Sequence, residues 1–162
     1  IRRVSDNFFV GSVPSCGAGA FLEPVELPTT ASYKIEVNPA GIGTGTASLT
    51  LYDVVDATGS IAINGSAVGV SLLTPGQQAL LTFSGTSGQS VTASATVTSG
   101  AYGCAWSLAI LNSAGGIVAS NVSCSSGNST GAVSLPASGT YTVRVDPAGT
   151  ATGAANVSLT SP

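Results

Sequence analysis

The stretch "LPASGTYTVRVDPAGTATGAANVSLT", residues 135–160, decides the fold, because it is written twice. Its other copy is "LPTTASYKIEVNPAGIGTGTASLTLY", residues 27–52, offset by 108 residues. Without a gap, 11 of the 25 positions in 27–51 are identical to their mates: Leu27, Pro28, Tyr33, Val37, Pro39, Ala40, Gly41, Thr44, Gly45, Ala47 and Leu51. Ordinary residue frequencies give roughly one or two identities by chance. The register continues upstream, where Val10, Cys16, Gly19 and Val25 fall on Val118, Cys124, Gly127 and Val133. A period of 108 residues is too long for a solenoid unit of roughly 20–50 residues and suits a whole domain. Ile1 aligns with Ala109, in the middle of the later copy. Residues 1–54 therefore read as the C-terminal half of one repeat, and 55–162 as a complete repeat.

Within each copy the residues alternate. In "TYTVRVD" Tyr141, Val143 and Val145 face one way and Thr142, Arg144 and Asp146 the other; in "SYKIEVN" Tyr33, Ile35 and Val37 alternate with Lys34, Glu36 and Asn38. This period of two is that of a half-buried strand. Both runs end in Asn/Asp-Pro-Ala-Gly, where Pro presets φ and Gly permits the left-handed region. A second strand is expected in "NVSLT" and in "ASLTLY". The complete repeat has further strand-like runs at 59–63, 67–72, 79–84, 89–97, 105–112 and 131–135, separated by Gly or Pro. No run of 11 residues carries a helical period. Short strands at this spacing predict an all-β protein, a β-sandwich or jelly roll.

Composition excludes several function classes. Charged residues are 7% of the chain, histidine is absent and the net charge is −3. Four basic residues give no face for nucleic acid or anionic lipid. Mean hydropathy is positive, yet Ser, Thr and Gly interrupt every apolar run before about 18 residues, so no membrane-spanning helix is expected. A Ser/Thr/Gly-rich surface over Val, Leu and Ala fits an extracellular or cell-surface bacterial protein. The chain begins at Ile1 without a signal sequence, which implies processing or a longer polypeptide.

Catalytic constellations are missing from the pattern. No histidine activates a serine, "GxSxG" does not occur, and Lys34 sits mid-strand. The seven carboxylates, Asp6, Glu23, Glu26, Glu36, Asp53, Asp56 and Asp146, show no spacing for a glycosidase pair. "GIGTG" at 41–45 has no following helix and reads as a loop. Neither an enzyme nor a cofactor site is expected. Asp53 and Asp56 in the inter-repeat linker are a candidate Ca²⁺ pair, against the alternative of turn residues bonding to backbone. Sequons occur at Asn64, Asn121, Asn128 and Asn156, most of them incidental in a bacterial protein; a glycan is a second partner class.

Several phrases together resemble a known family. "LTPGQQALLTFSGTSGQSVTASAT", "LPASGTYTVRVDPAGTATGAANVSLT" and "LTLYDVVDATGSI" are similar to a bacterial tandem β-sandwich repeat of secreted and cell-surface proteins, found near RHS/YD-type regions. The pattern is also distantly similar to bacterial pre-peptidase C-terminal domains. The resemblance covers 55–162 and, as the tail of a preceding copy, 20–54. It implies a non-catalytic spacer, adhesion or assembly module.

Three cysteines are an odd number for a secreted protein. The repeat pairs Cys104 with Cys124 in one copy. Cys16 is the mate of Cys124, and its own partner would fall just before Ile1, which leaves Cys16 as a candidate intermolecular or unpaired cysteine. Three scattered cysteines without histidine make no zinc set. Trp106 and Tyr102 flank Cys104, and Trp106 is expected to pack on the disulfide. The half repeat would leave Phe8, Phe9, Phe21, Tyr33, Ile35, Val37, Leu49 and Leu51 as an uncovered apolar face. Two functions compete. One is a structural protein that self-assembles into a filament, stalk or surface layer through that face. The other is a carbohydrate- or surface-binding adhesion module of a longer secreted protein.

Overall fold

A computed structural model describes residues 1–15, 17 and 19–162. The chain divides into two compact units, Ile1–Asp53 and Val54–Pro162. Every regular element is a strand: β1 (Arg2–Arg3), β2 (Tyr33–Lys34), β3 (Ala57–Ser60), β4 (Val68–Leu72), β5 (Ala79–Gly85), β6 (Ser90–Ala101), β7 (Trp106–Leu111), β8 (Ile117–Ser123), β9 (Gly127–Ser129), β10 (Val133–Ser134), β11 (Gly139–Asp146) and β12 (Thr152–Thr160). The all-β class read from the sequence is the class observed. Among the described residues no helix is long and apolar enough to cross a membrane.

The second unit is a sandwich of two five-stranded sheets. One runs β3-β5-β11-β7-β8; the other runs β10-β6-β12-β4, with β9 also on β6. All pairings in this unit are antiparallel except β3 with β5. Alternation places the core. Tyr141, Val143 and Val145 of β11 lie beside Leu81 and Phe83 of β5 and Leu108 and Ile110 of β7, and share the core with Val91, Ala93, Val157 and Leu159 from the opposite sheet. Each such side chain gains roughly 1.5–3 kcal/mol when buried.

Two strands here, β8 and β9, lie outside the runs expected from the sequence. β8 carries Ile117 at 62% exposure and Val122 at 58%, so its apolar residues face water and its alternation is blurred. β9 is three residues, Gly-Asn-Ser, with no apolar side chain. The run expected at 59–63 begins earlier, as β3.

The first unit departs further from expectation. "SYKIEVN" yields only Tyr33–Lys34 as strand and "ASLTLY" yields none. β1 and β2 form a two-stranded antiparallel sheet. No described residue of this unit is buried. The ladders of the second unit supply the physical reason. There β12 lies between β4 and β6, both of which belong to residues 55–108. The stretch 44–52, which corresponds to β12, has no such neighbours among the described residues of the first unit. β11 lies between β5 and β7. Of these, only the end of β7 has a counterpart in the first unit, Arg2–Arg3, and it pairs with Tyr33–Lys34. A strand whose backbone finds no partner gains nothing over hydrated coil.

Candidate assembly face

The first unit keeps the local geometry of its mate although it lacks the sandwich. The Tyr141 hydroxyl donates to the carbonyl of Ala137 at 2.7 Å, and the Tyr33 hydroxyl donates to the carbonyl of Thr29 at 2.8 Å. Both pairs sit four residues apart, at matching positions of the repeat. Gly149 and Gly41 both lie in the left-handed region, at φ 57° and 61°. The amide of Ala151 donates to Ala148, and the amide of Gly43 to Ala40, each at 3.1 Å. The hairpin turn after β7 has Gly115 at φ 79°, and its counterpart is Asn7 at φ 60°. The hydroxyls of Ser123 and Ser15 donate to the carbonyls of Gly127 and Gly19 at 2.8 and 2.7 Å. Turns of this kind are closed by residues within about five positions of one another. They need no core, so both copies form them.

The side chains meet different fates. Val143, Val145, Val157 and Leu159 are all but inaccessible, at 1% or less, whereas their counterparts Ile35, Val37, Leu49 and Leu51 are 45, 56, 60 and 76% exposed. Tyr141 is 3% exposed; Tyr33 is half-buried. Leu135 is 1% exposed and its mate Leu27 50%. Phe8 and Phe9 are half exposed, and Phe21 is half-buried. Val143, Val145, Val157, Leu159 and Leu135 make the core of one unit and their counterparts lie on the surface of the other, whereas the mates of Phe8, Phe9 and Phe21 are Gly116, the exposed Ile117 and Ser129, which make no core. The β1–β2 register is also slipped by one residue against its counterpart: Arg3 pairs with Tyr33, whereas the equivalent Leu111 pairs with Thr142. Register is held by a buried face, and where none exists it is weakly specified.

Charge decorates this surface. The Arg2 guanidinium lies 5.4 Å from the Phe9 ring centre and that of Arg3 5.0 Å from Phe8, the geometry of a cation–π contact. Arg3 grips Asp6 through two of its three guanidinium nitrogens, Nε to Oδ1 at 2.9 Å and Nη2 to Oδ2 at 2.6 Å. That charge-assisted pair, with the Phe8 amide, draws the Asp6 carboxyl down to about 2. Glu36 bonds Lys34 at 2.8 Å and Arg2 at 3.3 Å. Its carboxyl is lowered, chiefly by Lys34. Lys34 is thereby an ion-pair partner on an exposed strand. A shallow hollow is lined by Phe8, Phe9, Val10, Glu26 and Pro28.

In the second unit Cys104 and Cys124 form a disulfide. Trp106 is buried and meets Tyr102 edge-on at 5.5 Å, and its indole N–H donates to the Ser125 carbonyl at 2.8 Å. Trp106 and Cys124 line one pocket of about 230 Å³ with Tyr102, Gly103 and Ser125. Burial drives the Tyr102 hydroxyl up to about 12. Cys16 lies outside the described residues.

Asp56 Oδ1 accepts the Gln78 amide at 3.0 Å and so helps to fix the start of β3 beside β5. Among the described residues no group of three or more His, Cys, Asp or Glu side chains is gathered where a metal ion would sit. Asn64, Asn121 and Asn156 are exposed. Asn128 is buried, its amide donating to the Asn121 carbonyl at 3.2 Å and to that of Trp106 at 3.4 Å. A glycan on Asn128 is incompatible with this packing, which the sequon alone does not reveal.

The second unit is a β-sandwich of ten short strands around one aliphatic and aromatic core. Residues 78–147, from just before β5 to the end of β11, match the family model of the bacterial pre-peptidase C-terminal domain. The similarity to that family expected from the sequence is therefore present. Among solved structures, the pre-peptidase C-terminal domain of the collagenase from Bacillus anthracis is similar over 68% of this chain and 99% of its own. The identity is 13% and the TM-score 0.49. Aeromonas hydrophila PliG, a periplasmic lysozyme inhibitor of g-type lysozyme, is similar over 65% of this chain and 96% of its own, with 15% identity and a TM-score of 0.43. No curated protein matches the chain.

Proposed function

We propose that the protein is a non-catalytic, extracellular structural protein that assembles with further copies of its own repeat into a filament, stalk or surface layer. The first unit is its assembly face. One observation carries the reading: Ile35, Val37, Leu49 and Leu51, whose counterparts form the core of the second unit, are 45–76% exposed. Each is worth roughly 1.5–3 kcal/mol on burial, so water disfavours the open face and association relieves it. The disulfide and the low charge of the chain support an oxidising, extracellular setting.

The test is removal of residues 1–52, with light scattering and electron microscopy on both chains. The full chain should associate, and the shortened chain should remain a monomer with the second unit folded. Assemblies that persist without residues 1–52 would refute the reading. If the exposed face instead bound glycans, monomeric full-length chain would be retained on immobilised polysaccharide and lose retention on the same deletion.

A further inference from the structure

We infer that the first unit is completed by strand insertion, and that its occupant is the first half of a further copy of this repeat. That occupant is a polypeptide segment with the strand pattern of residues 55–108, supplied from outside residues 1–162. The inference rests on taking the first unit as an assembly face and identifies what the face receives.

Backbone pairing decides the mode. In the second unit β12 hydrogen-bonds to β4 on one side and β6 on the other. Its counterpart, 44–52, carries the same apolar alternation and, among the described residues, has no strand on either side. Packing one apolar face against another would bury side chains and leave that backbone unpaired. Only strands entering on both sides of 44–52 meet both needs, as in β-strand addition.

A glycine gives independent support. A Cβ on Gly153 would run into the carbonyl oxygen of Ser99 and lie 3.3 Å from Gly100 Cα, because β6 crosses there with no room to spare. Its mate Gly45 meets nothing within 4 Å. The glycine requirement at this point of the repeat is created by a β6-like strand. Gly45 satisfies it in a unit that has none.

Counting halves argues against another copy of residues 1–162 as the occupant. Residues 1–162 hold two second halves, 1–54 and 109–162, and one first half, 55–108. Strand exchange between copies covers one second half only by uncovering another. The entry point is also defined. Residues 55–108 join the second half at Ala109, inside β7, and Ile1 is the repeat equivalent of Ala109. A first half joined in front of Ile1 therefore keeps the connectivity of the second unit. In that unit Cys104 is bonded to Cys124, whose repeat equivalent in the sequence is Cys16.

The experiment repeats residues 55–108 in front of Ile1 of the full chain. Hydrogen exchange is read at 33–37 and 44–52, and non-reducing peptide mapping is read at Cys16. Exchange at those segments should slow to the rate of their counterparts, 141–145 and 152–160, and Cys16 should crosslink to the added copy of Cys104. Leu49→Lys in this longer chain should abolish both effects; in the 162-residue chain, where Leu49 is 60% exposed, it should leave the exchange of 1–53 unchanged. The second unit is the internal control. Fast exchange at 44–52 with no Cys16 crosslink, while 55–162 of the same molecule stays protected, overturns the inference. So does a 162-residue chain that already protects 44–52 in a concentration-dependent dimer, because a second copy is then the occupant. The two readings fail separately. If Cys16 crosslinks but association persists in the longer chain, assembly through the first unit is wrong and strand insertion stands. If residues 1–52 drive association but the added half gives no protection, the reverse holds.

Discussion

Replacing Tyr141 tests whether the repeated tyrosine earns its place through its ring or its hydroxyl. The ring is 3% exposed and stacks on Phe83 with centroids 5.6 Å apart. The hydroxyl donates to the Ala137 carbonyl at 2.7 Å. Tyr141→Ala removes both and leaves a void beside Phe83, so it should cost about 3–5 kcal/mol, the range of aromatic truncations in cores. Tyr141→Phe keeps the ring and removes the hydroxyl's two bonds to Ala137, the one donated to its carbonyl and the one accepted from its amide at 3.3 Å. Ala137 is exposed and its carbonyl can be hydrated, so the cost should be about 1 kcal/mol. Tyr33 makes the same bond from a half-buried ring, and Tyr33→Ala should leave unfolding of the second unit unchanged. Trp106 is the sole tryptophan, is buried in the second unit, and reports that unfolding by fluorescence in urea. Midpoint shifts at constant slope give the free energies. A loss below about 1 kcal/mol for Tyr141→Ala would show that the ring contributes little packing and would refute the core assignment.

Peptide mapping without reductant should recover Cys104 and Cys124 as one crosslinked pair. Replacing both by Ser should lower stability by about 3 kcal/mol, the chain-entropy value for a loop of about 20 residues; two free thiols in the native protein would defeat this. Gly153→Ala should destabilise the second unit by about 1–3 kcal/mol through its clash with β6, and Gly45→Ala should be silent in the 162-residue chain; equal effects in the Trp106 and exchange readouts would contradict the explanation. Burial raises the Asp146 carboxyl, Arg144 opposing and Asp56 assisting. A raised folded value means that ionisation is penalised by folding, and the penalty enters as pH rises through the unfolded value of about 4. Asp146→Asn should therefore raise the urea midpoint at pH 7 and lose that advantage near pH 3; a lower midpoint at pH 7 would reverse the sign. Asp6 runs the other way. Its folded value of about 2 means that the Arg3 pairing is fully present above the unfolded value of about 4. It should disappear as pH falls through 2, which a carbon-detected titration of Asp6 would follow.

What was legible in the sequence was what depends on near neighbours or on strict alternation. The Asn/Asp-Pro-Ala-Gly turns, the alternation of β11 and the all-β class all follow from positions a few residues apart. β8 escaped because it carries apolar residues on a solvent-facing edge, and β9 because Gly-Asn-Ser has no alternation to read. Part of the candidate face was legible, since Ile35, Val37, Leu49 and Leu51 follow from the repeat register and are exposed; Phe8 and Phe9 do not follow from it, because their mates are Gly116 and the exposed Ile117. Its conformation was not. "ASLTLY" has the pattern of a strand, and pattern alone does not say whether two neighbouring strands are there to pair with it.

That difference separates two kinds of information in one repeat. The bond from Tyr33 to Thr29 and the left-handed Gly41 are specified inside the first unit, and they form there with the distances of the second. The strand at 44–52, the register of Tyr33 and the need for glycine at 45 are specified by partners more than 40 residues away in the complete repeat: Thr92–Ala101 and Val68–Leu72 for β12, Phe83 for Tyr141, and Ser99 for Gly153. A half repeat therefore keeps its corners and loses its ladders. It is also left with exposed side chains and unpaired backbone in the places where a first half would supply both, so the conformation of the first unit records the shape of what it lacks.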